Sequence, residues 1–237
     1  VHLWRSLLIL PPERFEHYAT LLSIDEQQRA QRFRFARDQQ RFTAARGILR
    51  MILGRYLNVP PDTLRFTYNS AGKPFLATPY DQNLSFNLSH AGDWVVYAIA
   101  HQRLVGIDLE IWRSVAELDG VIQHICTPEE QQVLRALSDE ARQVEFLHYW
   151  TAKEAYLKAI GVGFQQSPQQ VRVHKTVGQL NPISLSVPLQ KRGDRWHITA
   201  CNLETDGLIT WVVNGSQAPR PRYWHVAVDE PSPSLDG

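Results

Sequence analysis

Asp108 and Glu110 stand two residues apart in Val105-Gly106-Ile107-Asp108-Leu109-Glu110, a run that reads as a β-strand. Alternate residues of a strand share a face, so the two carboxylates project together while Ile107 and Leu109 turn into a core. Two carboxylates side by side repel. A hard cation such as Mg²⁺ relieves that repulsion, because it takes oxygen ligands and is held by one or two carboxylates plus substrate phosphates. The plainer reading is a strand with a polar outer face, but Asp and Glu are both poor strand formers.

A third carboxylate lies in Phe146-Leu147-His148-Tyr149-Trp150-Thr151-Ala152-Lys153-Glu154-Ala155-Tyr156-Leu157-Lys158-Ala159-Ile160-Gly161. On a helix, Leu147, Trp150, Glu154, Leu157 and Lys158 share one side. Glu154 therefore falls where the apolar stripe should continue. A surface Glu154–Lys158 ion pair explains the spacing of the two but not their place beside Leu147 and Trp150. A carboxylate at the rim of a core suits a metal ligand or a general base. Two further segments offer groups for an anion. In Phe86-Asn87-Leu88-Ser89-His90-Ala91-Gly92-Asp93 a strand ends in a hydroxyl and an imidazole. Adjacent strand residues point to opposite faces, so Ser89 and His90 are not a catalytic Ser–His pair. In Ala71-Gly72-Lys73-Pro74 a turn presents backbone N–H groups and one ammonium. It is not a Walker A loop, since the full glycine spacing and the Ser or Thr after the lysine are missing.

The secondary structure around these groups follows from pattern. Residues 2–10 read as a strand ended by Pro11-Pro12, and residues 13–22 as a helix. Ser23 with Glu26 forms a capping box for a helix to about residue 35. Asp38 is expected to cap a longer helix with Phe42, Ala45, Ile48, Leu49, Ile52 and Leu53 as its apolar stripe. Strands are expected at 64–68, 84–88, 94–101 and 104–112, then helices at 115–126, 128–137 and 141–160. Thr127 and Glu130 make a second capping box, with Pro128 at the first helical position. Strands are expected again at 170–174, 183–187, 195–200, 208–213 and 224–228. The end from about residue 229, rich in Pro and Ser, is expected to be mobile. Each half thus runs through short helices, a long helix and strands. This predicts an α+β chain of two similar halves, residues 1–103 and 104–237.

Composition narrows the class. The 237 residues carry a net charge of +1, with 43% hydrophobic and 21% charged residues, a globular balance with enough chain for a sizeable core. No apolar run reaches the roughly 18–20 residues of a membrane span. The start of the sequence lacks a charged region followed by a cleavage site, so secretion is not expected. Cys126 and Cys201 form neither a disulfide framework nor a zinc spacing, and a reduced, cytoplasmic protein is the expectation. Twenty of the 25 basic residues are Arg, and eight fall between Arg29 and Arg55 against one acid, Asp38. That run admits a rival reading, a nucleic-acid-binding module without catalysis, which gives no role to Asp108, Glu110 and Glu154.

Taken together, Gly72-Lys73-Pro74, Phe86-Asn87-Leu88-Ser89-His90, Val105-Gly106-Ile107-Asp108-Leu109-Glu110 and Trp150-Thr151-Ala152-Lys153-Glu154-Ala155-Tyr156-Leu157-Lys158 resemble the 4′-phosphopantetheinyl transferases of the Sfp type, in the same order and with similar gaps. The resemblance runs clearly from about residue 23 to 163. It implies two pseudo-symmetric α/β halves in one chain, with coenzyme A bound in the cleft between them. It implies that Asp108, Glu110 and Glu154 hold Mg²⁺, with Mn²⁺ as the alternative. Lys158 would act on the phosphates, while Arg29, Lys73, Pro74, Asn87, Ser89 and His90 would hold the nucleotide end. Glu26 stands where some relatives carry a Lys that makes a second contact there. The implied reaction is transfer of phosphopantetheine from coenzyme A to a serine of an apo acyl or peptidyl carrier protein, releasing 3′,5′-ADP. Glu154 is the first choice of base and Glu130 the second. Residues 114–137 are the docking surface the resemblance implies, and a cleft within one chain implies a monomer.

Overall fold

The structure, a computed structural model, describes residues 1–80, 83–187, 195–204 and 207–226. The chain begins with strand β1 (His2–Leu7), two short helices α1 (Pro12–Thr20) and α2 (Ile24–Gln31), and the long α3 (Ala36–Leu57). Strands β2 (Phe66–Tyr68), β3 (Pro74–Leu76), β4 (Leu84–Ala91) and β5 (Trp94–His101) complete the first half. The order then repeats. Strand β6 (Val105–Ile111), short helices α4 (Leu118–Ile125) and α5 (Pro128–Arg135) and the long α6 (Asp139–Ile160) are followed by β7 (Arg172–Lys175), β8 (Ile183–Ser186), β9 (Trp196–Leu203) and β10 (Gly207–Asn214). A last strand, β11 (Arg222–His225), has no counterpart in the first half. The fold is therefore α+β with two similar halves. The expected mobile tail from residue 229 lies outside the described residues, as do residues 227–228 of the expected last strand.

The repeat extends to the sheets. β1 pairs antiparallel with β5, which pairs with β4, and in the second half β6 pairs antiparallel with β10, which pairs with β9. Alternation decides the layers. Val95, Tyr97 and Ile99 of β5 pack with Ile48, Leu49 and Ile52 of α3 in one core. Val96, Ala98 and Ala100 turn the other way and meet Val105, Ile107, Leu109, Ile209 and Trp211 in a core between the two sheets. On the far side α6 closes the second half over Phe146, Leu147, Ala155, Leu157 and Val212. The order is helix, sheet, sheet, helix. Among the described residues no helix is long and apolar enough to cross a membrane.

Several details differ from the pattern. α3 begins at Ala36 with Phe35 as its N-cap, so Asp38 sits inside the first turn rather than capping it. The cap thus falls three residues earlier than expected, and beside it Phe33 packs on Phe42 with ring centroids 5.4 Å apart. The short β3 follows the Gly72 turn directly, where no strand was expected. β11 leaves the second half altogether and pairs in parallel with β1, Trp4 opposite Trp224. On its way it runs beside the 102–104 linker. The Leu104 N–H donates to Asn214 Oδ1 at 2.7 Å, the Asn214 N–H to the Leu104 carbonyl at 3.2 Å, and Arg103 to the Gln217 carbonyl at 3.1 Å.

Both capping boxes form, and each capping glutamate does a second, tertiary job. Glu26 is 1% exposed and pairs through Oε2 with Arg50 Nε at 2.6 Å. Glu130 is 3% exposed and pairs with Lys153 Nζ at 2.7 Å. Arg50 is the fifteenth residue of α3 and Lys153 the fifteenth of α6. Both cations are fully buried and donate also to loop carbonyls, Arg50 to Pro61 and Leu64, Lys153 to Pro168. Each half thus carries the same internal strut from a short helix to its long one. Burying such ions is tolerable only because every pair is hydrogen-bonded.

Candidate active site

Helix α6 reaches the paired carboxylates because β6 has no side chain at Gly106. A Cβ there would stand 2.0 Å from the Ala155 carbonyl oxygen and 2.6 Å from the Ala159 nitrogen. The helix backbone therefore lies directly on the strand, two residues from Asp108. That contact brings Glu154 and Lys158 over the face that Asp108 and Glu110 share. On the other edge, Asn87 of β4 accepts the Ile107 N–H at 2.9 Å and ties the first sheet to β6.

Lys158 Nζ donates to Asp108 Oδ1 at 2.6 Å and to Ser89 Oγ at 2.9 Å, and Ser89 Oγ donates to Asp108 Oδ1 at 3.0 Å. Three residues from three elements and both halves thus meet at one point. Asp108 Oδ2 is buried and has no hydrogen-bond partner. Burial pushes the Asp108 carboxyl above its ordinary range, against the pull of Lys158 and Ser89. Glu110 accepts the Trp150 indole N–H at 2.9 Å and is likewise raised by burial and by the Asp108 charge. Glu154 is pushed up to about 7, by burial first and then by the Asp108 carboxylate.

A cleft of about 650 Å³ opens over this point, lined by Gly72, Lys73, Pro74, Asn87, Leu88, Glu154, Lys158, Gly161, Val162, Gly163 and Gln165. Expected residues of both halves therefore share one cavity. Lys73 lines it, but its ammonium is engaged with the end of α6. Its ammonium donates to the Lys158 and Ala159 carbonyls at 2.6 and 3.0 Å, and burial lowers it to about 8. His90 is exposed, and its imidazole is lowered by partial burial and by the positive charges of Lys158 and Arg41. Arg29 stands apart from the cavity lining, exposed, with its guanidinium over the rings of Phe42 and Tyr68 at 5.3 and 5.9 Å.

Glu130 is not brought to the cleft. Its oxygens accept from the Thr127 and Val173 N–H groups and from Lys153. Glu26 makes the same arrangement in the half that carries no paired carboxylates, so the geometry belongs to the architecture. Glu26 is turned inward and offers nothing to a ligand. The Arg29–Arg55 run does not form one basic face either. Arg46 and Arg50 are buried against Glu26, and Arg37 and Arg41 both pair with Asp93. A second cavity of about 390 Å³, between the sheets at Leu3, Ile107, Ile209 and Tyr223, touches none of the expected site residues.

The carboxylates fit a divalent cation by their chemistry. They supply hard oxygen donors, an unpartnered buried Asp108 oxygen, and three acids each raised by burial and, for Glu110 and Glu154, by the charge of Asp108. In the described residues, no group of three or more His, Cys, Asp or Glu side chains is arranged as a formed metal site. The positive charge at Asp108 is that of Lys158.

The raised Glu154 carboxyl sets a pH dependence. Its folded value of about 7 lies above the ordinary 4.5, so the stability it contributes is complete below about pH 4.5 and is lost as pH rises through 7. With EDTA present, Glu154→Gln should match the parent chain in denaturant titrations near pH 4.5. It should exceed it by about 3 kcal/mol above pH 8. Parallel pH curves for the two proteins would show that Glu154 is not the strained acid.

Comparison with known proteins supports the same reading of both halves. A family model described as the 4′-phosphopantetheinyl transferase superfamily matches residues 104–212. One described as 4′-phosphopantetheinyl transferase, N-terminal, matches residues 11–102. The chain is 38% identical to the 4′-phosphopantetheinyl transferase HetI of Nostoc sp., over 95% of its own length and 92% of that protein's. It is 30% identical to the L-aminoadipate-semialdehyde dehydrogenase-phosphopantetheinyl transferase of Homo sapiens, over 94% and 72%. Among solved structures, a holo-(acyl-carrier-protein) synthase from Bacillus anthracis in complex with CoA (3′,5′-ADP) aligns with a TM-score of 0.40 and 22% identity, over 48% of this chain and 96% of that one.

Proposed function

The chain belongs to the 4′-phosphopantetheinyl transferase superfamily, and from that premise we propose that it is an Sfp-type enzyme moving phosphopantetheine from coenzyme A to a serine of an apo acyl or peptidyl carrier protein. The observation that carries this reading is the meeting of Lys158, Asp108 and Ser89 on the wall of a cleft built from both halves. The presence of both halves in a single chain supports the Sfp type and a monomer.

In the proposed reaction the serine oxygen forms a bond to the β-phosphorus of coenzyme A. The bond from that phosphorus to the bridging oxygen breaks, and 3′,5′-ADP leaves with the electron pair. Asp108, Glu110 and Glu154 would hold Mg²⁺ or Mn²⁺. When bound, that ion supplies Lewis-acid neutralisation of the phosphate oxygens. The rest falls to the chain's own groups. The Lys158 ammonium offers a positive charge to the oxygens on which charge develops, and its placement is already fixed by Ser89. Glu154 stands on the cleft wall beside Lys158, placed to take the serine proton as general base. Lys73, Pro74 and Asn87 line the space proposed for the nucleotide, Ser89 and His90 are proposed to border it, and Arg29 is proposed to meet its 3′-phosphate.

Intact-mass spectrometry of an apo carrier protein incubated with this chain, coenzyme A and Mg²⁺ tests the reading. The expected result is a gain of about 340 Da, the mass of one phosphopantetheine, and its loss with EDTA. A carrier of either kind that stays unmodified, together with no coenzyme A binding by calorimetry, would overturn it.

A further inference from the structure

The last turn of α6 is held from outside by the other half of the molecule. Lys73 donates to the carbonyls of Lys158 and Ala159, and Asn69 Nδ2 donates to the carbonyl of Gly161 at 2.6 Å. The carbonyls at a helix C-terminus have no partners within the helix, and they form the negative end of its dipole. A cation and an amide from the 69–73 turn supply what is missing. The turn is itself braced for this task. Asn69 Oδ1 accepts the N–H groups of Ala71 and Lys73 at 3.1 and 2.9 Å. One side chain thus shapes the turn with its oxygen and grips the helix end with its nitrogen. The clasp closes at Gly161, which leaves the helix in the left-handed region at φ 76°.

The main chain of Lys158 is therefore fixed by Lys73, and its side chain by Ser89 and Asp108. An ammonium has three donors, and Lys73 spends two on carbonyls, which leaves it poorly placed as a free cation for a phosphate. Resting on the transferase reading above, we propose that Lys73 and Asn69 are positioning residues for Lys158. They act on transfer by setting the last turn of α6 against the cleft, and contact with the nucleotide is not how Lys73 works.

Steady-state kinetics of the full chain with varied coenzyme A and saturating apo carrier test this, beside coenzyme A binding by calorimetry. Lys73→Met and Asn69→Ala should each lower kcat on the order of 10-fold or more, with KM and Kd for coenzyme A changed less than about threefold. Lys73→Arg should recover most of the rate, since a guanidinium keeps the donors the carbonyls need. A tenfold weaker Kd for Lys73→Met with kcat intact would make Lys73 a nucleotide contact and overturn the proposal. So would wild-type kinetics for Asn69→Ala, which carries no charge for a nucleotide. A second readout does not depend on turnover. Acetylation of Lys158 by an activated ester, followed by peptide mass spectrometry, should run several-fold faster in Lys73→Met than in the parent chain. Equal labelling rates overturn the positioning role. A parent chain that transfers nothing would refute the transferase reading alone, and the labelling rates would still decide this one.

Discussion

Asp108→Asn is expected to lower phosphopantetheinyl transfer on the order of 10³-fold while leaving the melting temperature unchanged or raised. The two directions follow from the same surroundings. Asp108 is 4% exposed and its carboxyl is raised by burial in spite of Lys158 and Ser89. The charged form is thus held at a cost to the fold, and a neutral isostere removes that cost. Lys158 keeps a route to water, its side chain being 28% exposed, so its ammonium is not stranded. The chemistry loses far more. The point charge that aligns Lys158 disappears, together with the free Oδ2 on which the proposed metal depends. Losing one such group from a preorganised site costs about 10²–10³ in rate. The checks are the rate of mass gain on an apo carrier and a thermal melt. A variant that transfers at the parent rate removes Asp108 from the site, and one that loses several degrees of stability marks it as structural.

Gly106→Ala should damage both quantities. The added Cβ would meet backbone atoms of α6 at 2.0, 2.6 and 3.0 Å, and these cannot swing aside as a side-chain tip would. The helix must move by an ångström or so, carrying Glu154 and Lys158 with it. Overpacking of this kind costs about 3 kcal/mol, which lowers the melting temperature of a chain this size by roughly 6–12 °C. Misplacing catalytic groups by an ångström costs about 10² in rate. Circular dichroism melts and the carrier-modification rate read the two effects separately. A variant with parent stability would mean that α6 does not rest on β6 at this residue.

These two positions also show what pattern reading reaches. The alternation of Ile107 and Leu109 against Asp108 and Glu110 is local, and the structure keeps it, with the apolar pair in the central core. The stripe of Ile48, Leu49 and Ile52 and the two capping boxes are local as well, and the long α3 and the short α2 and α5 follow from them. Gly106 is visible as a residue, but its purpose is the approach of a helix some 50 positions later, which no local pattern encodes. The same holds for Glu26 and Glu130. Their capping role can be read from spacing, whereas the ion pairs to Arg50 and Lys153 depend on tertiary placement. A signal was available, since aligning the halves on their long helices sets Arg50 against Lys153. Lys73 shows the opposite difficulty. A lysine after a glycine turn suggests an anion, and the structure gives it helix carbonyls instead. β11 is short and β-branch-poor, and its partner β1 lies at the far end of the chain, so nothing nearby announces the pairing.

The way β11 returns to β1 bears on how the two halves are held together. The halves are connected covalently twice, through residues 102–104 and through the segment leading to β11, and hydrogen bonds at Leu104, Asn214 and Arg103 bind these two passages side by side. Two passages bound side by side hold the halves in register more firmly than a single thread would, and they do so beside a core that both sheets share. The placement of Lys158, which takes Ser89 from one half and Asp108 from the other, rests on that register.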